Sequence, residues 1–215
     1  MTSKLVIRRW VATVGVATAM LASGCAMLTP RLEAYQPPPV GSTWTNSQVN
    51  TGSYGSGTAR ITITRGERVW QGRQVITFQT PAGATLADPV TSRWIVVLAP
   101  NDAVVVTWDP PIGFEFPIEV GKTWVSRHRV DNRVSGRAVD FEATWKVEAY
   151  EDVTVAAGTF KAYRVSYSDT MGNAEIYWMS PEFGITVKTS QKRSASHSQG
   201  AGTRETELVT QTIRK

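Results

Sequence analysis

The chain has 215 residues and a formal net charge of +5 at pH 7. Residues 1–24 carry three positive charges and no negative one, which leaves 20 positive and 18 negative side chains in residues 25–215. So small a positive excess gives little support for nucleic-acid binding, and a single cysteine, Cys25, excludes an intramolecular disulfide. Seven of the eight tryptophans follow residue 24, so buried aromatic side chains can supply the stability.

The first 24 residues have the anatomy of a secretory signal peptide. Lys4, Arg8 and Arg9 form a positively charged start, residues 10–22 are uncharged and mostly apolar, and small residues precede Cys25. This order predicts export from the cytoplasm. An uncleaved membrane anchor is one alternative, because the uncharged stretch approaches the length of about 20 residues that a membrane span needs. Its alanine, glycine, serine and threonine content makes it only weakly apolar.

The residues around the predicted cleavage site resemble the lipobox of bacterial lipoproteins. Ser23 and Gly24 fit that motif before Cys25, whereas Ala22 stands where leucine is usual and Leu21 lies one place early. The resemblance implies a diacylglyceryl group on the Cys25 thiol and a further acyl chain, of the palmitate type, on the amine freed by cleavage. Two or three chains anchor a protein stably where one is marginal. An ordinary secretory signal with an incidental cysteine is the other alternative.

Residues 25–40 are predicted to be a lipidated, proline-rich tether. Four prolines in this stretch disfavour both helix and strand. Ala26, not aspartate, follows Cys25, which by resemblance to the Gram-negative sorting rule favours the outer membrane, with the domain facing the periplasm. The predicted organisation is a signal peptide over residues 1–24, the tether over 25–40 and a single β domain over 41–215.

Strand patterns follow one another from residue 43 onward. Residues 138–149 alternate between apolar and polar side chains, which predicts a strand with one buried and one wet face. Residues 94–98 and 103–108 are short apolar runs, typical of strands that are buried on both faces. No segment has a sustained helical period. We therefore predict an all-β fold, an antiparallel open barrel or sandwich of about eleven strands.

Residues 190–206 are poor in apolar side chains and lie between two strand-like segments. A long polar hairpin with its tip near Gly200 and Gly202 fits best, and a disordered loop is the alternative. We expect this segment to bury little surface.

A short sequence recurs after about 80 residues. Residues 40–44, Val-Gly-Ser-Thr-Trp, return as residues 120–124, Val-Gly-Lys-Thr-Trp, and residues 95–100 resemble residues 176–181. This predicts two related β units, residues 40–117 and 118–215, within one domain. Chance recurrence of a Gly-x-x-Trp turn is the alternative.

Three motifs in the second half carry a family resemblance. Residues 116–124, 151–165 and 177–185 together resemble the TapB-like group of exported bacterial β proteins. The resemblance covers residues 110–188 well and the first half loosely. It implies an antiparallel β fold behind a lipoprotein signal, and it assigns no catalytic residue.

Catalytic and metal-binding patterns are weak. The two histidines, His128 and His197, have no cysteine or carboxylate partners at metal-ligand spacing. No nucleophile elbow, phosphate loop or dinucleotide fingerprint occurs. Carboxylates cluster near Asp109, where a glycosidase pair is the less favoured interpretation. We expect no enzyme activity, no metal and no cofactor.

Four residues are candidate ligand contacts. Arg127 and Arg129 lie on one strand face, where they would bind the anions of lipid head groups or acidic glycans. The alternative is a wet face balanced by neighbouring acidic residues. Trp145 and Trp178 would stack on sugars or line an apolar cavity, unless they belong to an ordinary core.

These patterns predict a non-enzymatic envelope lipoprotein, bound to the membrane through Cys25. The leading hypothesis is an interaction or scaffolding module that docks an envelope protein through exposed strand edges. The alternative is a binder or carrier of an apolar or lipid ligand inside an open barrel. The tryptophan content favours a mostly filled interior, and no nucleic-acid partner is expected.

Overall fold

The computed structural model describes residues 30–213, which form a closed antiparallel barrel of twelve strands. The strands are β1 (Thr43–Gly52), β2 (Gly57–Trp70), β3 (Arg73–Thr80), β4 (Gly83–Ala87), β5 (Trp94–Leu98), β6 (Val104–Ile112), β7 (Thr123–Asn132), β8 (Arg137–Val155), β9 (Gly158–Asp169), β10 (Asn173–Ser180), β11 (Ile185–Arg193) and β12 (Gly202–Thr212). The predicted all-β antiparallel fold is thus confirmed: of the open barrel and the sandwich that were expected, it is a barrel, but closed and with twelve strands. No α-helix of the length and apolarity that crossing a bilayer requires occurs in residues 30–213.

The barrel closes because its first and last strands pair with each other. β1 runs antiparallel to β12 from the pair Thr43 and Thr212 to the pair Gly52 and Gly202. On its other side β1 pairs with β2. Each strand therefore has two hydrogen-bonded neighbours, and the described chain presents no free edge strand. We call the end that carries the β1–β2, β9–β10 and β11–β12 connections the upper end, and the opposite end the lower end.

The alternating pattern of β8 places its apolar side chains inside the barrel. Phe141, Ala143, Trp145 and Val147 are all buried. A bulge after Val147 then shifts the register against β9, and Ala149 pairs with Arg164. Because one extra residue exchanges the two faces of a strand, the predicted one-sided alternation ends at Val147.

Two hairpins continue beyond the barrel wall and add apolar clusters. The end of the β2–β3 hairpin packs Val75 against Leu86, Val96 and Leu98, and Arg68 Nη1 lies 2.9 Å from Asp102 Oδ1. The end of the β8–β9 hairpin contributes a second cluster with β11 and β12: Val153, Val155, Phe160, Ala162, Ile185, Val187 and Leu208. Strand β5 is apolar on both faces because the first cluster covers one of them.

Residues 30–40, the described part of the predicted tether, lie against the lower end of the barrel. Leu32 forms an antiparallel bridge with Ile118. The Pro30 carbonyl oxygen accepts a hydrogen bond of 2.6 Å from the Tyr163 hydroxyl. The Tyr35 hydroxyl donates one of 3.1 Å to the Gly184 carbonyl oxygen. This segment is therefore held along its length by the barrel.

The two recurring Gly-x-x-Trp turns make matching backbone hydrogen bonds. Gly41 N donates to Arg65 O at 2.8 Å, and Gly121 N donates to Val147 O at 2.8 Å. Both glycines have positive φ, 82° and 93°, and each turn leads to a buried tryptophan as the second residue of a strand. The second sequence echo falls on β5 and β10, which are the fifth and fourth strands of their units. The relation of the two units stays a prediction.

Candidate functional site

The barrel lumen contains a cavity of about 1120 Å³. Ordinary ligand sites have volumes of roughly 300–1,000 Å³, so this one has room for a sizeable ligand. The predicted filled interior holds only for the aromatic cluster around Trp145, because the cavity lining runs from Tyr35 and Gly184 near the lower end to Tyr54 and Arg204 near the upper end. The remainder is lined by side chains that leave open space between opposite walls.

One wall of the lumen, built by β5 to β8, is apolar except for Asn132 and Arg137 at its upper end. Its side chains alternate with outward-facing ones along each strand and include Trp94, Val97, Val106, Trp108, Val130 and Val139. The Trp94 and Trp108 rings lie 6.1 Å apart between centroids. Trp94 and Val139 line the cavity and are each 41% exposed. This wall thus keeps apolar surface that a ligand would cover.

Trp145 is at the centre of the filled part of the lumen. Its ring stacks on Trp124, with centroids 5.5 Å apart and planes 4° apart. Tyr167 lies 4.5 Å and Phe114 5.8 Å from it between centroids. The indole Nε1 atoms of Trp124 and Trp145 are buried and have no hydrogen-bond partner among residues 30–213. The free energy gained by burying and stacking these rings therefore exceeds the cost of leaving two indole N–H groups without a partner.

The opposite wall, from β9 to β12 and β1, is polar. On this wall the Asp169 carboxylate is held by four hydrogen bonds. This carboxylate accepts hydrogen bonds from the Tyr167 hydroxyl at 2.6 Å and from Asn173 Nδ2 at 2.8 Å. It also accepts bonds from the backbone N–H groups of Met171 and Asn173, both at 2.9 Å. Burial, and then the bond to Asp169, raise the pKa of Tyr167 far above its usual range. The phenol therefore remains a donor, and Asp169 is fully coordinated by neutral groups.

Glu175 is the second carboxylate of the polar wall. It accepts hydrogen bonds from the Tyr177 hydroxyl and from Gln191 Nε2, the latter at 2.9 Å. Enclosure by the barrel raises the pKa of Glu175 above its ordinary value. Burial, and then the charge of Glu175, raise the pKa of Tyr177 as well. Both effects disfavour negative charge at this point of the lumen.

Two arginines face the lumen at its upper end. The Arg193 guanidinium carbon lies 3.9 Å, and that of Arg204 4.7 Å, from the centroid of the Tyr54 ring. Arg193 Nη1 donates to the Ser53 carbonyl oxygen at 3.3 Å, and Arg204 Nε donates to Asn50 Oδ1 at 2.7 Å. In the described chain neither guanidinium lies within salt-bridge distance of a carboxylate, whereas thirteen such bridges occur elsewhere.

The structure separates the four predicted ligand contacts. Arg127 and Arg129 lie on the outside, each 3.1 Å from a carboxylate oxygen, that of Glu142 or Asp140, beside a shallow groove of about 480 Å³. Trp145 faces the lumen. The other tryptophan, Trp178, is absent from the cavity lining and donates from Nε1 to a Glu151 oxygen at 2.9 Å.

The remaining sequence candidates have ordinary surroundings or lie elsewhere. His128 is buried, with Nδ1 at 2.7 Å from the Pro110 carbonyl oxygen and Nε2 at 2.7 Å from Ser126 Oγ. His197 lies in the β11–β12 connection, where its Nδ1 accepts a hydrogen bond from Gln199 N. Cys25 lies outside the described residues.

The polar lumen residues were not among the sequence candidates. Arg193 and Arg204 lie on strands that have polar side chains on both faces, and Tyr54 lies in the β1–β2 connection. Glu175 alternates with the apolar Ala174 and Ile176, so the pattern assigns its face to water. Residues 190–206 do form a hairpin, with a connection over residues 194–201. Its strands, however, are part of the closed wall. The face predicted to be solvated lines the lumen instead.

No protein-family model and no curated protein matches the chain. Among solved structures it is similar to a Bacteroides fragilis protein inferred to be exported, with a YmcC-like fold, at 14% identity and a TM-score of 0.47, over 84% of this chain and 99% of that chain. It is also similar to the hypothetical lipoprotein YmcC of Escherichia coli (10% identity, TM-score 0.46, 81% and 87% covered). A Parabacteroides distasonis protein inferred to be a lipoprotein gives 10% identity and a TM-score of 0.42, with 84% and 99% covered. At these identities the likeness assigns no residue a role.

Proposed function

We propose that this protein is a non-enzymatic envelope lipoprotein that binds an apolar or lipid ligand in the barrel lumen. The observation that carries the proposal is the cavity of about 1120 Å³ with an apolar wall. Apolar surface that faces an empty space is a favourable site for an apolar group, because covering it removes both surfaces from water. The continuous wall of strands gives such a ligand a rigid enclosure.

Closure of the barrel favours lumenal binding over docking through strand edges. A peptide that adds to a sheet needs unpaired backbone N–H and C=O groups along one strand. Every strand of the described barrel already pairs on both sides. A scaffolding role would therefore need side-chain contacts on the outer surface, where Arg127 and Arg129 are already ion-paired.

The predicted anchor would place the lower end of the barrel beside the membrane. Pro30 is bound to Tyr163 at that end, and only four residues lie between it and Cys25. The five Cα-to-Cα steps from Cys25 to Pro30 span at most about 18 Å. The upper end, with the polar residues of the lumen, would then face away from the membrane. An outer-membrane location with the domain in the periplasm, as Ala26 suggests, belongs to the same proposal.

Partly filling the lumen is expected to weaken binding of an apolar probe. We propose Val130→Trp, which adds an indole to the apolar wall. Val125→Trp is the matched control, because Val125 lies on the same strand and is 59% exposed on the outside. Binding of the neutral dye N-phenyl-1-naphthylamine, followed by fluorescence, should weaken at least about tenfold in Val130→Trp and remain unchanged in Val125→Trp.

Thermal unfolding of both variants confirms that each is folded before binding is compared. Equal binding by the two folded variants would show that the dye binds elsewhere, and would contradict the lumen as the site. Absence of dye binding by the wild-type protein would contradict the proposal as a whole.

Acylation of Cys25 is a separate expectation. Cells given an alkyne analogue of palmitate should label the wild-type protein, and Cys25→Ser should lose the label, because the serine hydroxyl does not form the thioether. Ser23→Ala keeps a small residue before the cysteine and serves as the control that retains label. Label that persists in Cys25→Ser would show that the anchor lies elsewhere.

A further inference from the structure

We propose that Arg193 and Arg204 form a binding site for the anionic head group of an amphiphile, whose apolar part lies against Val97, Trp108 and Val130. This inference rests on the proposed lumenal binding and specifies the class of ligand. The head group is an oxyanion with at least two oxygens, a carboxylate or a phosphate ester. Two guanidinium groups offer such an anion several donors in a planar arrangement.

The two arginines are held in position and still have donors to spare. They come from neighbouring strands, β11 and β12, and both lie against the Tyr54 ring. The bond from Arg193 Nη1 to the Ser53 carbonyl oxygen and the bond from Arg204 Nε to Asn50 fix their orientation. Arg193 Nε is buried and has no hydrogen-bond partner within residues 30–213. A positioned cation without a counter-ion is arranged to receive an anion.

The carboxylates of the described lumen form no ion pair with these two arginines, although the charge of Glu175 acts on both. Asp169 is coordinated by four neutral donors, and Glu175 by Tyr177 and Gln191. Arg137 lines the cavity as a third cation. Among the described lumen residues the cations thus outnumber the carboxylates, and His197 and the Tyr54 phenol are further titratable groups near the upper end. Protonation of Glu175 would increase the positive excess.

The distribution of polar and apolar residues requires a ligand with two parts. A small inorganic anion would contact the arginines and leave the apolar wall bare. A fully apolar molecule would cover that wall and leave the guanidinium groups unpaired. An anionic amphiphile of lipid type does both at once. Its head group pairs with the arginines at the upper end, and its chain extends across the lumen to cover the apolar side chains of β5 to β7.

The test compares an anionic amphiphile with its neutral ester. The probe is undecanoic acid with a dansyl group on the far end of the chain, and the comparison compound is its methyl ester. We expect wild-type protein to bind the acid at least about tenfold more tightly than the ester, since charge-assisted hydrogen bonds are present only with the acid. The double variant Arg193→Gln/Arg204→Gln should lose this preference, with little change for the ester.

Matched variants and competitors separate the explanations. Arg127→Gln/Arg129→Gln removes two arginines from the outer surface and should keep the preference. Arg193→Lys/Arg204→Lys keeps both positive charges and should keep part of the preference for the acid. It provides the comparison with wild-type protein if the glutamine variant does not fold. Dodecyl phosphate should displace the acid and inorganic phosphate at the same concentration should not. Displacement by inorganic phosphate would identify a site for a free anion and overturn the inference.

Failure of this inference can be told apart from failure of the proposed function. Equal binding of acid and ester by wild-type protein, or an unchanged preference in the folded glutamine variant, would overturn the head-group site while lumenal binding stands. If neither compound nor the neutral dye binds, both proposals fail together.

Discussion

Replacing Trp145 by alanine is expected to lower the free energy of unfolding by about 3–5 kcal/mol. Trp145 is only 4% exposed and contacts Trp124, Tyr167 and Phe114 through its ring. Removing the indole opens a cavity that these rigid strands cannot collapse around, so the lost contacts are not replaced. Equilibrium unfolding in urea, with the midpoint and slope fitted together, measures the change.

Two comparison variants define the cause of this loss. Trp145→Phe keeps most of the stacking and removes the unpaired Nε1 donor, so we expect a loss clearly smaller than that of the alanine variant. Trp94→Ala removes an indole that is 41% exposed and should also destabilise less. A nearly neutral Trp145→Ala, together with lipid that co-purifies with the wild-type protein, would show that this part of the lumen is loosely filled and available to ligand.

The all-β fold was predictable because each strand carries a local signal. In β8 the alternation of residues 138–147 identifies the inward face directly. Closure was not predictable in the same way. It depends on the pairing of β1 with β12, whose partners Thr43 and Thr212 lie at opposite ends of the domain. No local pattern distinguishes a strand that closes a barrel from one at a free edge.

The polar wall of the lumen escaped prediction for a related reason. Periodicity assigns the apolar face of a strand to the interior and the polar face to water. In β11 the side chains of Thr189, Gln191 and Arg193 face the lumen, so both faces of the strand are polar and the pattern resembles an exposed hairpin. By contrast, Trp145 lies on the apolar face of an alternating strand, so the pattern predicts its position inside the barrel.

Replacing Gly184 by alanine is expected to release the segment that covers the lower end of the barrel. Gly184 has a φ of 64°, and a methyl group there would clash with the Gln36 carbonyl oxygen. The left-handed conformation costs alanine about 1–2 kcal/mol, and overpacking adds roughly 1–3 kcal/mol. We therefore expect a total loss of about 2–5 kcal/mol, unless the segment detaches and relieves the contact. Detachment would also remove the hydrogen bond from Tyr35 to Gly184.

Gly136→Ala is the matched control, because Gly136 has a φ of 66° and open space where the methyl group would lie. It should show the backbone strain alone. Limited trypsin digestion then reports on the segment itself: cleavage after Arg31 should accelerate in Gly184→Ala and stay at the wild-type rate in Gly136→Ala.

Burial raises the pKa of Tyr35 to about 12, because the lower end of the lumen shields the phenol from water. The released segment should therefore let Tyr35 ionise at lower pH, which ultraviolet titration measures. Equal digestion rates and equal stabilities for the two variants would show that the contact with Gln36 does not hold the segment in place.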